Sequence, residues 1–312
     1  DELDALGVRV AALEKKSDNV KITGYFRYDY ARQQNGNKAD RSRLRSRIWF
    51  TGKVNDNWNY VGMVQNDQDL KNNAEDAATN FQRAYLQGRL GGLKTFAGRF
   101  NKSLIDNAVQ NSRVDGLDFT YGDKVKLNAF YLKPTDSKAA PAKFDRMWGV
   151  EASTKLGALD AKADYVYRWQ PDDGSSKHGQ IGAFGLKYNF NKDFNLGATY
   201  LKTGYGYKAA GASNNGFFVA ANYKGAKAAK VGSWGVGATY YHMPAGALIE
   251  AGWDTTTIYD RGLNEEGYKG FYAHAHYTVA KNMILGVQAW QFKSRLDNDK
   301  NKTLWGDLVV TF

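Results

Sequence analysis

Four arginines occupy every second position of one short segment: Arg41, Arg43, Arg45 and Arg47. The alternate positions include four large apolar residues: Leu44, Ile48, Phe50 and Val54. This period of two predicts a β-strand with one basic and one apolar face. A row of guanidinium groups attracts anions, so we predict a basic wall formed by Arg27, Arg41, Arg43, Arg45, Arg47, Arg83 and Arg99. The alternative is a solubilising face whose arginines are neutralised by acidic neighbours.

Residues that could catalyse a reaction or hold a metal ion are scarce. The sequence has no cysteine and four histidines. His274 and His276 have the spacing that puts both on one face of a strand, but no third ligand is evident. No nucleophile signature accompanies a histidine. We therefore expect no enzymatic activity, no cofactor and no bound metal.

The elements that must position these residues form a long series of alternating segments. From Val20 onward the sequence predicts sixteen strands. They lie near residues 20–33, 41–55, 58–69, 79–91, 93–100, 114–122, 124–133, 145–157, 158–170, 178–190, 193–203, 214–225, 232–243, 267–279, 282–293 and 302–312. The short turns between them use Gly, Asn and Asp, and they alternate with long polar loops. The predicted loops are 34–40, 70–78, 101–113, 134–144, 171–177, 204–213, 244–266 and 294–301.

This alternation puts every short turn at one end of the sheet, which is typical of outer-membrane barrels and has no reason in a soluble sandwich. Mean hydropathy is −0.59, and no run approaches the ~20 apolar residues of a membrane helix. A barrel remains possible because its strands alternate apolar and polar residues. We predict an all-β fold, a sixteen-stranded antiparallel transmembrane β-barrel. The arginines face a wet lumen, since each would cost about 2–4 kcal/mol at the lipid midplane.

The predicted loop 101–113 contains apolar residues in a polar context: Leu104, Ile105, Ala108 and Val109. An exposed loop has little use for them, whereas a loop folded into the barrel can pack them on its wall. We predict that this loop narrows the lumen, with constriction residues Leu104, Ile105, Asp106, Arg113, Asp115 and Asp118. Its acids would then lie opposite the arginines. The alternative is an ordinary surface loop.

The first nineteen residues have a different period. Leu3, Leu6, Val10 and Leu13 are spaced as an a/d seam. Two heptads are too short to form a coiled coil alone. We predict a helical stub of a coiled coil over residues 1–19, preceding a barrel domain over residues 20–312. A single amphipathic helix packed on the barrel, or plugging its mouth, is the alternative.

Three passages resemble known porins. Lys21 to Tyr30 resembles the opening strand of porins that follow a coiled coil. Gly98 to Phe100 and Arg113 to Leu117 resemble the strands on either side of the inward third loop of general porins. The carboxyl end, with Leu308, Val310 and Phe312, resembles the signal read by the barrel-insertion machinery. Together they resemble the OmpM family of diderm Firmicutes.

The resemblance implies a homotrimer that carries an N-terminal S-layer-homology domain binding modified peptidoglycan. We expect that domain to be absent from this chain. The overall prediction is a general diffusion porin for small hydrophilic solutes, weakly anion-selective, integral to the bacterial outer membrane with a periplasmic N-terminus. Its partners would be the lipid bilayer, two further copies of itself and the insertion machinery, and no nucleic acid. The alternatives are a substrate-specific channel and a purely structural membrane anchor.

Overall fold

The structure, a computed structural model, describes residues 2–17, 19–34, 38–71, 78–135, 144–170, 176–249, 262–298 and 300–312. Parts of the predicted loops 34–40, 70–78, 134–144, 171–177, 244–266 and 294–301 lie outside those ranges. None of the helices in the described part is long and apolar enough to cross a membrane.

A helix, α1 (Glu2–Ser17), precedes sixteen strands. The first eight are β1 (Val20–Gln34), β2 (Lys38–Lys53), β3 (Trp58–Asp69), β4 (Asn80–Leu90), β5 (Leu93–Leu104), β6 (Gln110–Tyr121), β7 (Val125–Pro134) and β8 (Arg146–Leu156). The others are β9 (Leu159–Trp169), β10 (His178–Asn189), β11 (Phe194–Tyr205), β12 (Asn215–Lys224), β13 (Trp234–Met243), β14 (Tyr268–Ala280), β15 (Met283–Ser294) and β16 (Lys300–Thr311). A short helix, α2 (Leu263–Glu266), lies between β13 and β14.

The sheet closes on itself. Every strand pairs antiparallel with its neighbours in sequence, and β1 pairs with β16 from Tyr25 opposite Thr311 to Gln34 opposite Lys302. The barrel therefore has no free edge. Because the strand number is even, both ends of the sheet's chain path lie at the same end of the barrel, where the amide of Gly24 donates to the carbonyl of Phe312 at 2.6 Å. The sixteen-stranded antiparallel barrel predicted from the sequence is confirmed.

Most predicted strands agree with the structure to within a few residues, and the main difference is at the third loop. The predicted strands 93–100 and 114–122 extend to Leu104 and back to Gln110 as one paired hairpin. The loop itself shrinks from residues 101–113 to residues 105–109. Ile105, Asp106 and Asn107 have φ values of 53°, 51° and 65°, so the turn is a run of left-handed residues rather than an open loop.

The two faces of the wall differ in exposure. Outward rows on several strands expose large apolar side chains, as in Phe184, Leu186, Tyr188 and Phe190. The opposite face is turned to the lumen, and over β7 to β15 many of its residues are fully buried, among them Leu132, Met147, Val166, Ile181 and Leu201. The core of this molecule thus lies inside the barrel. A simple water-filled tube would not bury these residues.

Candidate functional site

Two buried or nearly buried carboxylates organise the predicted basic wall. Asp29 on β1 is 0% exposed and lies 2.9 Å from Arg27, 3.5 Å from Arg41 and 3.0 Å from Arg43. Asp67 on β3 accepts two hydrogen bonds from Arg45, at 2.7 and 2.8 Å. Arg43 also reaches Asp67 at 3.7 Å. The strand register brings these groups together, because Arg43 lies opposite Asp29 and Arg45 opposite Asp67.

An indole completes this part of the wall. Trp305 on β16 has three guanidinium carbons over its ring, those of Arg27, Arg41 and Arg43, at 5.1, 5.0 and 6.0 Å. Its ring nitrogen donates to Asp307 at 2.9 Å. Cation–π contacts of this kind hold arginines without neutralising them. The sequence reasoning did not select Trp305, although its spacing from Thr303 and Asp307 places all three on one face.

Uncharged groups contact both Arg47 and Arg83. Arg47 donates to the side-chain oxygen of Gln65 at 2.8 Å and lies 5.5 Å from the Tyr25 ring. Arg83 donates to the side chain of Asn101 at 3.1 Å and to the carbonyl of Gln82 at 2.8 Å. The contact with Gln65 fixes Arg47 and leaves its charge in place.

The prediction is wrong for Arg99. Arg99 lies opposite Ala84 on one side and Asp115 on the other, so it shares the outward face. There it forms a bidentate pair with Asp115, at 2.7 and 2.8 Å. Phe96 and Phe100 occupy the lumen face of the same strand and pack with Tyr85. A rule that turns charge inward and apolar residues outward fails here because three aromatic side chains, Tyr85, Phe96 and Phe100, pack together on the lumen face.

The hairpin of residues 99–115, termed the inner hairpin below, leaves the wall at two paired glycines. Gly98 and Gly116 lie opposite each other with φ values of 126° and 148°. Pairing of β5 with β4 ends at Arg99, and pairing of β6 with β7 ends at Val114. A Cβ at Gly116 would collide with the carbonyl oxygen of Tyr131. The bend therefore requires glycine at this pair.

Beyond the bend, the inner hairpin crosses to the far wall. At its tip the Asp106 carboxylate lies 3.6 Å from Lys162 on β9. Four apolar residues of the hairpin are at most 1% exposed: Leu104, Ile105, Ala108 and Val109. They belong to the same buried apolar cluster as residues of the far wall. Asp106, Leu104 and Ile105 are thus brought together inside the barrel.

The other predicted constriction residues lie nearer the base of the hairpin. Arg113 connects β4 to the end of β7, on the two sides of the inner hairpin. It donates hydrogen bonds to the side chain of Gln82 and, at 3.1 Å, to that of Thr135. Asp118 faces the lumen, where it pairs with Lys102 at 2.5 Å. Asp115 lies outward with Arg99. Three of the six residues thus support the hairpin or lie outside the lumen.

A second inserted segment, missed by the sequence reasoning, meets the inner hairpin. We term residues 244–249 together with residues 263–266 the clamp segment. Ala245, Ala247, Leu248 and Leu263 in it are 0% exposed. The amide of Ile249 donates to the carbonyl of Val109 at 2.9 Å. Leu248 and Ile249 gave the same apolar signal in a polar loop as residues 104–109, and that signal could have revealed the insertion.

A cavity of about 1280 Å³ lies beside the inner hairpin. Its lining mixes apolar residues with several lysines, among them Lys126, Lys155, Lys162 and Lys187, and with Asp160. His274 also lines it, and its ring centroid lies 5.3 Å from that of His276. Within the described residues no group of three or more His, Cys, Asp or Glu side chains could hold a metal ion.

The predicted seam and carboxyl-terminal residues lie on the outside of the described molecule. Leu3, Leu6, Val10 and Leu13 of α1 are 85%, 59%, 44% and 66% exposed. Leu308 and Val310 share the outward face of β16 with Leu304, and Phe312 is 70% exposed. The helix and the barrel end thus present apolar surface that the described chain does not cover.

The architecture has counterparts among solved structures. OmpF of Salmonella typhi, in complex with daunomycin, has a TM-score of 0.63 at 14% identity, over 95% of this chain and 99% of its own. Two mutants of the Rh. blastica porin have TM-scores of 0.58 and 0.59 at 15% identity, over 94% of this chain and 100% of theirs. No protein-family model and no curated protein matches the chain.

The closed sixteen-stranded antiparallel barrel is the fold of these bacterial porins. At 14–15% sequence identity, the similarity to these porins is one of fold. This chain shares it over nearly its whole length, from the first strand to the last.

Proposed function

We propose that this protein is a general diffusion porin of the bacterial outer membrane, a non-enzymatic channel for small hydrophilic solutes. The observation that carries the proposal is a polar lumen surface on β16 and β1 to β4, facing the inner hairpin. A closed sheet of sixteen strands is large enough to leave an aqueous channel. Its outward apolar rows suit a lipid environment, where a closed barrel satisfies every backbone group.

We propose weak anion selectivity from the charge on this surface. Six arginines face the lumen here: Arg27, Arg41, Arg43, Arg45, Arg47 and Arg83. Four of them, Arg27, Arg41, Arg43 and Arg45, share the two carboxylates of Asp29 and Asp67. Cations therefore exceed their ion-pair partners, and the surplus acts on ions within the Debye length, about 8 Å at physiological salt. Asp106 and Asp118 lie on the inner hairpin and its base and offset part of this field.

The outward face of the first strands supports the proposed homotrimer. Ser42, Ser46 and Asn66 lie there, among outward apolar residues, and the Arg99–Asp115 pair lies on the outward face of β5 and β6. Polar and charged side chains at this depth are costly against lipid and are satisfied against protein. The exposed seam of α1 would continue the threefold contact as a coiled coil. In this arrangement both α1 and the short turns lie on the periplasmic side.

The finer assignment to the OmpM family rests on the resemblance described above. It implies a tether to peptidoglycan through an S-layer-homology domain, and insertion of the barrel through the carboxyl-terminal signal of Leu308, Val310 and Phe312. Both are proposals for the full-length protein. The exposed, apolar α1 seam is compatible with a longer coiled coil leading to such a domain.

Swelling of proteoliposomes in isotonic sugar solutions tests the channel function. A general diffusion porin admits sugars at rates that fall smoothly with solute size and rise linearly with concentration. Rates that saturate with one sugar would support the substrate-specific alternative. An absence of swelling, with correctly folded barrels, would contradict the proposal and favour a structural anchor.

A further inference from the structure

Two side chains of the barrel wall anchor the clamp segment through its backbone, and a third side chain, from within the segment, joins its two parts. Thr203 on β11, 3% exposed, donates to the carbonyl of Ala245 at 2.6 Å. Arg168 on β9, 6% exposed, donates to the carbonyl of Gly246 at 2.5 Å. Asn264, 2% exposed, accepts from the amide of Leu248 at 3.1 Å and donates to its carbonyl at 3.4 Å. Buried polar groups with such partners hold a segment in one place.

The clamp segment and the inner hairpin form one apolar layer. They meet through the bond from the Ile249 amide to the Val109 carbonyl. Leu248 and Ile249 belong to the same cluster of buried residues as Leu104, Ile105 and Val109. Beneath this layer the lumen-facing residues of five successive strands, Leu132, Met147, Val166, Ile181 and Leu201, are each 0% exposed.

The opposite side of the lumen is polar at its surface. Gln65, Asp67 and Arg47 line β2 and β3 there, and each is partly exposed. A hydrated solute avoids an apolar layer that offers no hydrogen-bond partner. The cavity described above, lined by Lys126, Lys162 and Lys187, reaches the short turn at Asp123 and Lys124. At the apolar layer itself, the described polar surface that faces it is that of β16 and β1 to β4.

We propose that the clamp segment is a second constricting element, which fixes the tip of the inner hairpin, closes the lumen over β7 to β11 and confines permeating solutes to the arginine side. This inference rests on the proposed channel function. It makes Thr203 and Asn264 determinants of pore width although neither contacts the solute path. Their hydrogen bonds to the clamp segment act through its position.

Substituted cysteines map the path, because the chain contains no cysteine of its own. Val166→Cys places a thiol beneath the clamp segment, and Gln65→Cys places one on the arginine side. A small charged thiol reagent is added to single channels in a planar bilayer. We expect loss of conductance in Gln65→Cys and no change in Val166→Cys. Equal loss in both, or no loss in Gln65→Cys, would overturn the proposed path.

A second pair of variants tests the clamp itself. Thr203→Val with Asn264→Ala removes the hydrogen bonds described above, and Thr199→Val on the same lumen-facing row of β11 is the matched control. In the Val166→Cys background, the clamp variant should become reactive and switch between conductance levels, while the control should stay steady and unreactive. A clamp variant as steady and unreactive as the control would overturn the inference. Channels that never conduct would instead refute the proposed function.

Hydrogen exchange of the unmodified protein in detergent gives an answer that does not depend on folding of the variants. The amides of Gly246, Leu248 and Ile249 donate within the barrel, so peptides that cover them should exchange as slowly as strand amides. The surface turn at residues 226–231 provides the fast reference. Exchange of residues 245–249 at the rate of that turn would overturn the clamp.

Discussion

At the scale of single residues, the arginine wall combines both interpretations that the sequence allowed. Arg27, Arg43 and Arg45 have carboxylate partners, as a solubilising face would require. Arg47 is held by Gln65, an uncharged amide. The wall is thus ordered by its acids and keeps a surplus of charge, and single substitutions can separate these two contributions.

Arg47→Gln should shift the reversal potential in a salt gradient towards cations, because it removes lumen charge without breaking an ion pair described for this residue. Arg99→Gln is the matched control: it removes the same charge from the outward face and should leave the reversal potential unchanged. A shift of equal size in both variants would mean that net charge, and not lumen charge, sets selectivity.

Asp29→Asn should act in the opposite direction on selectivity and should also destabilise the barrel. The fully buried carboxylate pairs with three arginines, and removal of one partner from a buried ion pair costs about 3–5 kcal/mol. We expect a reversal potential shifted towards anions and a lower unfolding temperature, followed by heat-dependent migration in gels. A shift in neither property would contradict the organising role of Asp29.

At the scale of elements, the inner hairpin depends on a bend that only glycine allows. Gly98→Val with Gly116→Val places side chains at positive φ against the wall, at about 1–3 kcal/mol per strained residue. We expect a lower unfolding temperature and an altered conductance. Gly182→Ala is the control, since its φ is not positive and its nearest neighbour would be 3.9 Å away. If the double valine variant were as stable as the Gly182→Ala control, the bend would not require glycine at residues 98 and 116.

The elements also show which features the sequence could predict, and why it did not predict the orientation of Arg99 or the clamp segment. Strands of period two are dictated locally, so the barrel, the strand number and the inward arginines of β2 followed from alternation. The orientation of Arg99 did not, because it depends on Phe96 and Phe100 packing inside the lumen with Tyr85. For the clamp segment, the apolar residues Leu248 and Ile249 signal an insertion, but not the place where the segment is held. Its burial depends on Thr203, Arg168 and Val109, which lie far from it in sequence.

At the scale of the whole molecule, two surfaces suit copies of the same chain: the outward face of β1 to β5, with its few polar side chains and the Arg99–Asp115 pair, and the exposed seam of α1. Leu6→Lys with Val10→Lys should disrupt the helical contact and leave the barrel trimer intact, because barrel contacts are far more extensive than two heptads. Mass measurement in mild detergent checks this. Monomers in the variant alone would assign the trimer contact to the helix, and monomers in both proteins would contradict the trimer.

The central claim is that a lumen with surplus arginine charge conducts small ions and solutes through the barrel. Planar-bilayer recording of the unmodified protein across a potassium chloride gradient tests it most directly. We predict steady conductance that appears in groups of three equal steps, with a reversal potential on the anion side that grows as the salt concentration falls. The absence of conductance from folded barrels, or a reversal potential on the cation side at low salt, would contradict the account.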